Sequence, residues 1–249
     1  MGKVFCIVQA RMGSERLQGK VIKPILNRPM VIYTLDRLKK SKYIDEMILA
    51  TSLMERELPL VEICEQYGYK VFRGSESNVL KRYIDAAESF GASENDVIIR
   101  VTGDCPLVDP IIVDNVITKF LSNTYDYVRL DVPDTFVRGF DVEIFSMKAL
   151  KKINSLLNNI GEEMDMYKEH VTLYMYKHPK EFKIGYVRGD EIYLRPYRLC
   201  VDTEEDFKLV ENIYKYFNDE FVSAKTVIEY LDKNSEIAQI NNNIKQKEV

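Results

Sequence analysis

Apolar positions along the chain follow two alternating rhythms. Short runs rich in β-branched and aromatic residues read as strands: "VFCIVQA" (4–10), "EMILATS" (46–52), "YKVFRG" (69–74), "DVIIRVTGD" (96–104), "YDYVRL" (125–130), "FKIGYV" (182–187) and "YRLCVD" (197–202). Between them the period lengthens to that of a helix. In "MVIYTLDRLKK", Val31, Leu35 and Leu38 share one face. "LPLVEICEQYG" and "NVLKRYIDAAESFG" show a similar period, and each stops at a glycine. Alternating β and α elements predict an α/β fold, with a mostly parallel central sheet and helices on both faces. Neither a repeat nor a linker divides the sequence, so residues 1–235 are expected to form one domain. Residues 131–180 are less regular and are expected to form an excursion beside the site. Residues 236–249, which include "NNNIKQKEV", are expected to be a solvated polar tail.

In sheets of this kind ligands gather beyond the carboxyl ends of the strands. That rule points to four loops: "ARMGSERLQGK", "RGSES", "TGDCP" and "CVDTEED". The first is the most informative, because an apolar strand runs directly into two glycines, two arginines and a lysine. Its stretch from Gly13 to Lys20 approaches the phosphate-loop pattern GxxxxGK[ST] but departs twice. Five residues separate the glycines, and Val21 stands where a magnesium-binding hydroxyl belongs. The dinucleotide pattern GxGxxG is absent there. What remains suits phosphate: glycines let backbone N–H groups approach oxygens, and Arg11, Arg16 and Lys20 supply fixed positive charge. A solvated surface turn would have the same composition.

With no loop hydroxyl to hold it, a metal ion needs carboxylates from elsewhere. Asp104, after Gly103, and Asp202, at the end of "RLCVD", are the candidates, since magnesium commonly uses one or two carboxylates plus substrate phosphates. Thr203 and Asp206 read as a helix capping box directly after Asp202. Taken singly, each of Asp104 and Asp202 also reads as a simple turn cap.

Composition narrows the class without naming it. At 249 residues, 46% hydrophobic and 30% charged, the chain has the makeup of a globular protein, and no run approaches the roughly 18 apolar residues of a membrane span. A net charge of −4 argues against a protein that wraps nucleic acid. Arg11 and Arg16 follow a short apolar run instead of preceding a long one, so no signal peptide is expected. The four cysteines lie far apart with no CxxC pair, which favours reduced thiols and a cytoplasmic location.

"VQARMGSERLQGKVIKPI" resembles the opening motif of the cytidylyltransferases that activate acidic sugars, and is most similar to the spore coat polysaccharide biosynthesis protein F branch. The resemblance continues in order through "RPMVIYTLDRLKKSKYIDEMILATS", "VFRGSESNVLKRYIDAA", "IIRVTGDCPLVDP", "GFDVEIFSMKAL", "KEHVTLY" and "RLCVDTEEDFKLVENIY", covering most of residues 3–217. It implies a Rossmann-like nucleotidyltransferase fold of the glycosyltransferase-A kind. It also implies CTP and Mg²⁺, and transfer of CMP to an anionic acceptor for surface polysaccharide assembly. On this resemblance the triphosphate falls to Arg11, Gly13, Ser14, Arg16 and Lys20, and the base to Val8, Gln9 and Ala10. Arg73, Ser75, Asn78, Thr102 and Gly103 complete the nucleotide site, and Asp104 and Asp202 hold the metal. Lys20, Arg16 and Asp104 are the implied catalytic residues, and Arg82, Asp141, Glu143 and His170 the implied acceptor contacts. The sequence departs from the branch at Lys81, where an aspartate is expected, and at "RLDVPDTFVRGFD", where an asparagine-rich loop is usual. Both departures bear on the acceptor.

The implied chemistry is attack of an acceptor oxygen on the α-phosphorus of CTP, with pyrophosphate leaving. Positioning and charge stabilisation dominate such transfers. A phosphate or phosphonate acceptor needs no base, whereas a sugar hydroxyl needs one, for which Asp141 or a metal-bound alkoxide could serve. Arg129, Arg138, Arg195 and Arg198 are further candidates to clamp an anion. Only His170 and His178 exist in the chain, and neither joins a nucleophilic triad. A nucleotidyltransferase using another NTP and a silent nucleotide-binding subunit both remain open. A glycosyltransferase is disfavoured, because no two aspartates stand two places apart as a DxD motif requires. Aromatic and Met residues in "MYKEHVTLYMYKHP" suggest an exposed apolar face and a homodimer.

Overall fold

The computed structural model describes residues 2–158 and 165–246. Residues 159–164 of the expected excursion and 247–249 of the expected tail lie outside the described residues. Seven strands form one sheet in the order β5-β4-β1-β6-β8-β7-β9. They are β1 (Val4–Gln9), β4 (Glu46–Ser52), β5 (Lys70–Gly74), β6 (Val97–Thr102), β7 (Tyr127–Leu130), β8 (Glu143–Ser146) and β9 (Ile184–Val187). A two-residue ribbon, β2 (Pro24–Ile25) with β3 (Arg28–Pro29), stands apart. All pairings in the large sheet are parallel except the two made by β8.

Alternation along β1 explains the layering. Val4, Cys6 and Val8 enter one core with α1 (Met30–Leu38), α4 (Pro110–Leu121), α8 (Glu204–Phe217) and α9 (Ala224–Lys233). Phe5 and Ile7 enter the other with α3 (Val79–Ser89), α5 (Met147–Asn158) and α7 (Leu173–Lys177). Helices thus cover both faces, as the buried strands of a parallel sheet require. Val31, Leu35 and Leu38 are fully buried. α2 (Leu58–Gln66) and α3 end just before Gly68 and Gly91. Among the described residues, no helix is long and apolar enough to cross a membrane.

Four expectations require correction. "YRLCVD" is not a strand: Arg198 makes a single bridge to Arg138, and its neighbours bond to loops, Leu199 N–H to the Arg138 carbonyl and Val201 N–H to the Asp104 carbonyl, each at 2.8 Å. Gly139 permits this approach, because at its φ of +111° an added Cβ would stand 2.4 Å from the Leu199 carbonyl carbon. The excursion contains a strand of the main sheet, β8, whose four residues are too few to display a period. Most apolar residues of "MYKEHVTLYMYKHP" face inward, with Val171, Leu173, Tyr174 and Met175 buried and Met166 alone among the large apolar side chains there exposed, at 47%, so the stretch does not present the continuous exposed face that suggested a dimer. Finally, part of the stretch read as a solvated tail is packed, while Asn242, Asn243 and Lys245 are exposed as expected. Ile240 rests on the core, and the buried Asn241 donates to the Arg198 carbonyl at 2.9 Å and to Asp206 Oδ1 at 2.7 Å.

Candidate active site

The loop after β1 is fixed from below by a carboxylate. Glu57, fully buried, accepts the Met12 N–H at 2.8 Å and the Thr51 hydroxyl at 3.0 Å. The Met12 carbonyl accepts from Ser14 and Gly19, closing the loop on itself. Gly13 lies against the Arg56 guanidinium, where an added Cβ would stand 3.0 Å from Nε, and Arg56 pairs with Glu76 in the loop after β5. Gly103 lets the loop after β6 run against the first. Its N–H donates to the Gln9 carbonyl at 2.8 Å, and an added Cβ would reach within 2.8 Å of the Ala10 Cβ.

Lys20 is the hinge of the site. Its nearly buried ammonium donates to Asp104 Oδ2 at 2.8 Å, Asp202 Oδ1 at 2.7 Å and the Val201 carbonyl at 2.7 Å. Asp202 also takes Arg16 at 2.9 Å and is paired with Arg198. Burial alone lowers the Lys20 pKa, but the two carboxylates outweigh it and hold the ammonium above the ordinary lysine value. Burial alone raises the Asp202 pKa, and Lys20, Arg16 and Arg198 reverse this and hold it below the usual aspartate value. The expected capping box is present, with Thr203 Oγ1 accepting from Asp206 N–H and Asp206 accepting from Thr203 N–H. That cap sets where Asp202 stands.

Beside this cluster opens a cavity of about 640 Å³, lined by Arg100, Arg129, Arg138, Asp104, Asp141, Glu143, Asp202 and His170 among others. Glu143 accepts from Arg100 at 2.5 Å, from Thr172 at 3.0 Å and from Tyr127. Burial raises its pKa, but Arg100 and these hydroxyls prevail and keep it below the ordinary glutamate value. Asp141 differs: burial dominates and raises its pKa, with the Gly139 N–H at 2.7 Å and Arg138 offsetting only part. Arg100 Nε is buried without a hydrogen-bond partner, a donor available to a guest in the cavity.

The other sequence candidates divide. Thr102, Asp104, Asp141, Glu143, His170 and Asp202 share the cavity wall. Gln9 and Ala10 stand at the end of β1, while the Val8 side chain is buried in the core, leaving only its backbone for a ligand. Arg11 is exposed on the loop. Arg73 donates to the Leu53 carbonyl at 2.7 Å. Ser75 Oγ accepts from Asn78 N–H, and Asn78 caps α3. Arg82, an implied acceptor contact, lies apart from this cavity; buried, it donates to the Ser75 carbonyl at 2.6 Å. Arg195 is engaged by Asp232 at 3.1 Å, and Lys81 by Asp85 at 2.7 Å. Reading the sequence missed Glu57, Arg56, Arg100, Thr172 and Gln246. Arg100 had a signal, a cation inside the apolar run "VIIRVT". The others become recognisable only when distant segments meet.

A family model described as Cytidylyltransferase matches residues 5–248. An uncharacterised protein of Methanocaldococcus jannaschii is 38% identical over 98% of this chain and 97% of its own length. The spore coat polysaccharide biosynthesis protein SpsF of Bacillus subtilis is 33% identical over 96% of this chain and 98% of its own length. Among solved structures, a cytidylyltransferase from Leptospira borgpetersenii superposes with a TM-score of 0.88 at 33% identity, covering all of both chains. The fold, the loop-and-carboxylate cluster and these matches agree: the chain belongs to the cytidylyltransferase family and is a CTP-dependent nucleotidyltransferase.

Proposed function

We propose that the protein transfers CMP from CTP to an acidic sugar or a related small anion, with release of pyrophosphate, in the assembly of a surface polysaccharide. The observation that carries this reading is the Lys20 ammonium held between Asp104 and Asp202 at the edge of a cavity lined by three arginines. Glycine-loop N–H groups and Arg16 receive the phosphates from one side, while Arg100, Arg129 and Arg138 draw an anion from the other. An acceptor oxygen is thereby brought in line with the α-phosphorus, the kind of placement that supplies most of the catalysis in such transfers. The gene-product name of the Bacillus relative supports the polysaccharide assignment.

Mg²⁺ suits the donor set. Two carboxylate oxygens and one carbonyl oxygen, all hard donors, converge on the point that Lys20 Nζ now takes. Among the described residues no three His, Cys, Asp or Glu side chains gather as a metal cage, so Asp104 and Asp202 would hold the ion together with the phosphates. When bound, the ion neutralises phosphate charge and orients the triphosphate. Lys20, at the end of the glycine loop and between the two carboxylates, would offset charge developing on the leaving pyrophosphate. For a hydroxyl acceptor, Asp141, whose raised pKa makes it a better base, takes the proton.

The test is Mg²⁺-dependent pyrophosphate release from each of four NTPs against 2-keto sugar acids, sugar phosphates and small phosphonates. Turnover with CTP and one acceptor class, lost in Lys20→Ala and Asp104→Asn, is expected. A preference for another nucleotide, or activity that survives both substitutions, would overturn the reading.

A further inference from the structure

A second cavity, of about 530 Å³, adjoins the first, and the two share Arg138 and Gln246 in their walls. Its character is different. Phe136, Leu194, Pro196 and Ile244 supply much of its surface, and Leu194 remains 54% exposed at its lip. The other two cations on its wall are already engaged. Arg195 is bound by Asp232, and Arg198 by Asp202, Asp206 and Gln246. The walls are also fixed. Phe136 packs on Tyr193 with ring centroids 5.1 Å apart, and the Tyr197 hydroxyl donates to Asp232 at 2.7 Å. On the far side the C-terminal segment is anchored through Asn241 and Gln246, both bound to Arg198.

A charged cavity and an apolar one that meet at a single arginine suit a molecule with an anionic end and an apolar end. We propose that the second cavity is an acceptor subsite that receives an uncharged apolar substituent, acyl or aryl, from an acceptor whose anionic group lies on Arg138 in the first. This rests on the acceptor reading of the first cavity. Residues 244 and 246 thereby become part of substrate selection, with the C-terminal segment forming one wall of the subsite.

Titration calorimetry of the full chain with methylphosphonate and phenylphosphonate tests the proposal. The two probes carry the same anion and differ in apolar bulk. Phenylphosphonate is expected to bind at least about tenfold more tightly, the scale of discrimination that one apolar pocket provides. Leu194→Gln, at an exposed position that folding tolerates, is expected to erase most of that advantage while leaving methylphosphonate affinity unchanged. Equal affinities in the native protein, or an advantage that survives Leu194→Gln together with Ile244→Asn, would overturn the subsite. Failure of both probes to bind would instead remove the acceptor reading of the first cavity, and the subsite with it.

Discussion

Replacing Lys20 by Met, which keeps the stem and deletes the charge, leaves Asp104 and Asp202 facing each other across a nearly buried space. The wild-type ammonium makes three hydrogen bonds of 2.7–2.8 Å there. Removing one partner from a buried ionic cluster costs about 3–5 kcal/mol. Arg16 and Arg198 still serve Asp202, so the lower end, about 3 kcal/mol, is expected, which lowers Tm by roughly 6–12 °C for a chain of this size. The pH dependence has a definite sign. Asp202 has a depressed pKa in the folded protein, so the stability it contributes is present above the unfolded aspartate value and is lost as pH falls through the folded one. The gap between wild type and variant therefore narrows on acidification. With Mg²⁺ held by Asp104 and Asp202 as proposed, the ion is expected to stabilise the variant more than the wild type, because no ammonium competes for the carboxylates, and at a hundredfold excess over its Kd to restore about 2.7 kcal/mol. Thermal melts with and without Mg²⁺, read beside pyrophosphate release, check all of this, and activity is expected to fall by about 10²–10³. A variant as stable and active as wild type, or one that Mg²⁺ stabilises less than wild type, would refute the reasoning.

Three further substitutions probe the surroundings of that cluster. Gly139→Ala must force the backbone at Leu199 away and adopt a conformation costly for alanine, so it is expected to lose about 2–4 kcal/mol in chemical denaturation, and to lose activity through the displaced Asp202. Glu143→Gln leaves Arg100 opposite an amide and is expected to cost about 3 kcal/mol at neutral pH. Because Glu143 also has a depressed pKa, the difference in Tm from wild type is expected to shrink as pH falls through its folded value. Glu76→Gln releases Arg56 beside Gly13, so CTP is expected to bind about two- to fivefold more tightly at low salt, an advantage lost at high salt; calorimetry at two ionic strengths reads this directly.

Much of this architecture is legible in local pattern because its causes are local. The run from Val4 to Gln9 alternates between two cores, and Val31, Leu35 and Leu38 fall on one buried face, so both announce themselves by period. Asp104 and Asp202 are legible as strand- or segment-end carboxylates, and Thr203 with Asp206 as a cap. Other features depend on meetings the sequence does not display. β8 owes its place to pairing on both sides, with β6 and β7, and not to its own four residues. "YRLCVD" has strand composition but finds loop carbonyls instead of a neighbouring strand. Glu57 reads as a surface acid in "MERELP" and becomes the buried support of the first loop only when β1 and β4 lie side by side. Asn241 sits in a stretch so polar that nothing local predicts its burial, and Arg198, which also holds Gln246, supplies the reason.

The contact between Lys20 and Asp202 spans 182 positions of chain. A ribosome adding about 5–20 residues per second needs roughly 9–36 s to cover that distance. For that interval the glycine loop and β1 exist while the Asp202 carboxylate that completes the cluster does not. A nascent chain halted before Asp202 therefore has the glycine loop but half of its acidic counterpart. Competence for nucleotide chemistry arrives late in synthesis and all at once, when residues near 200 reach a loop made long before them.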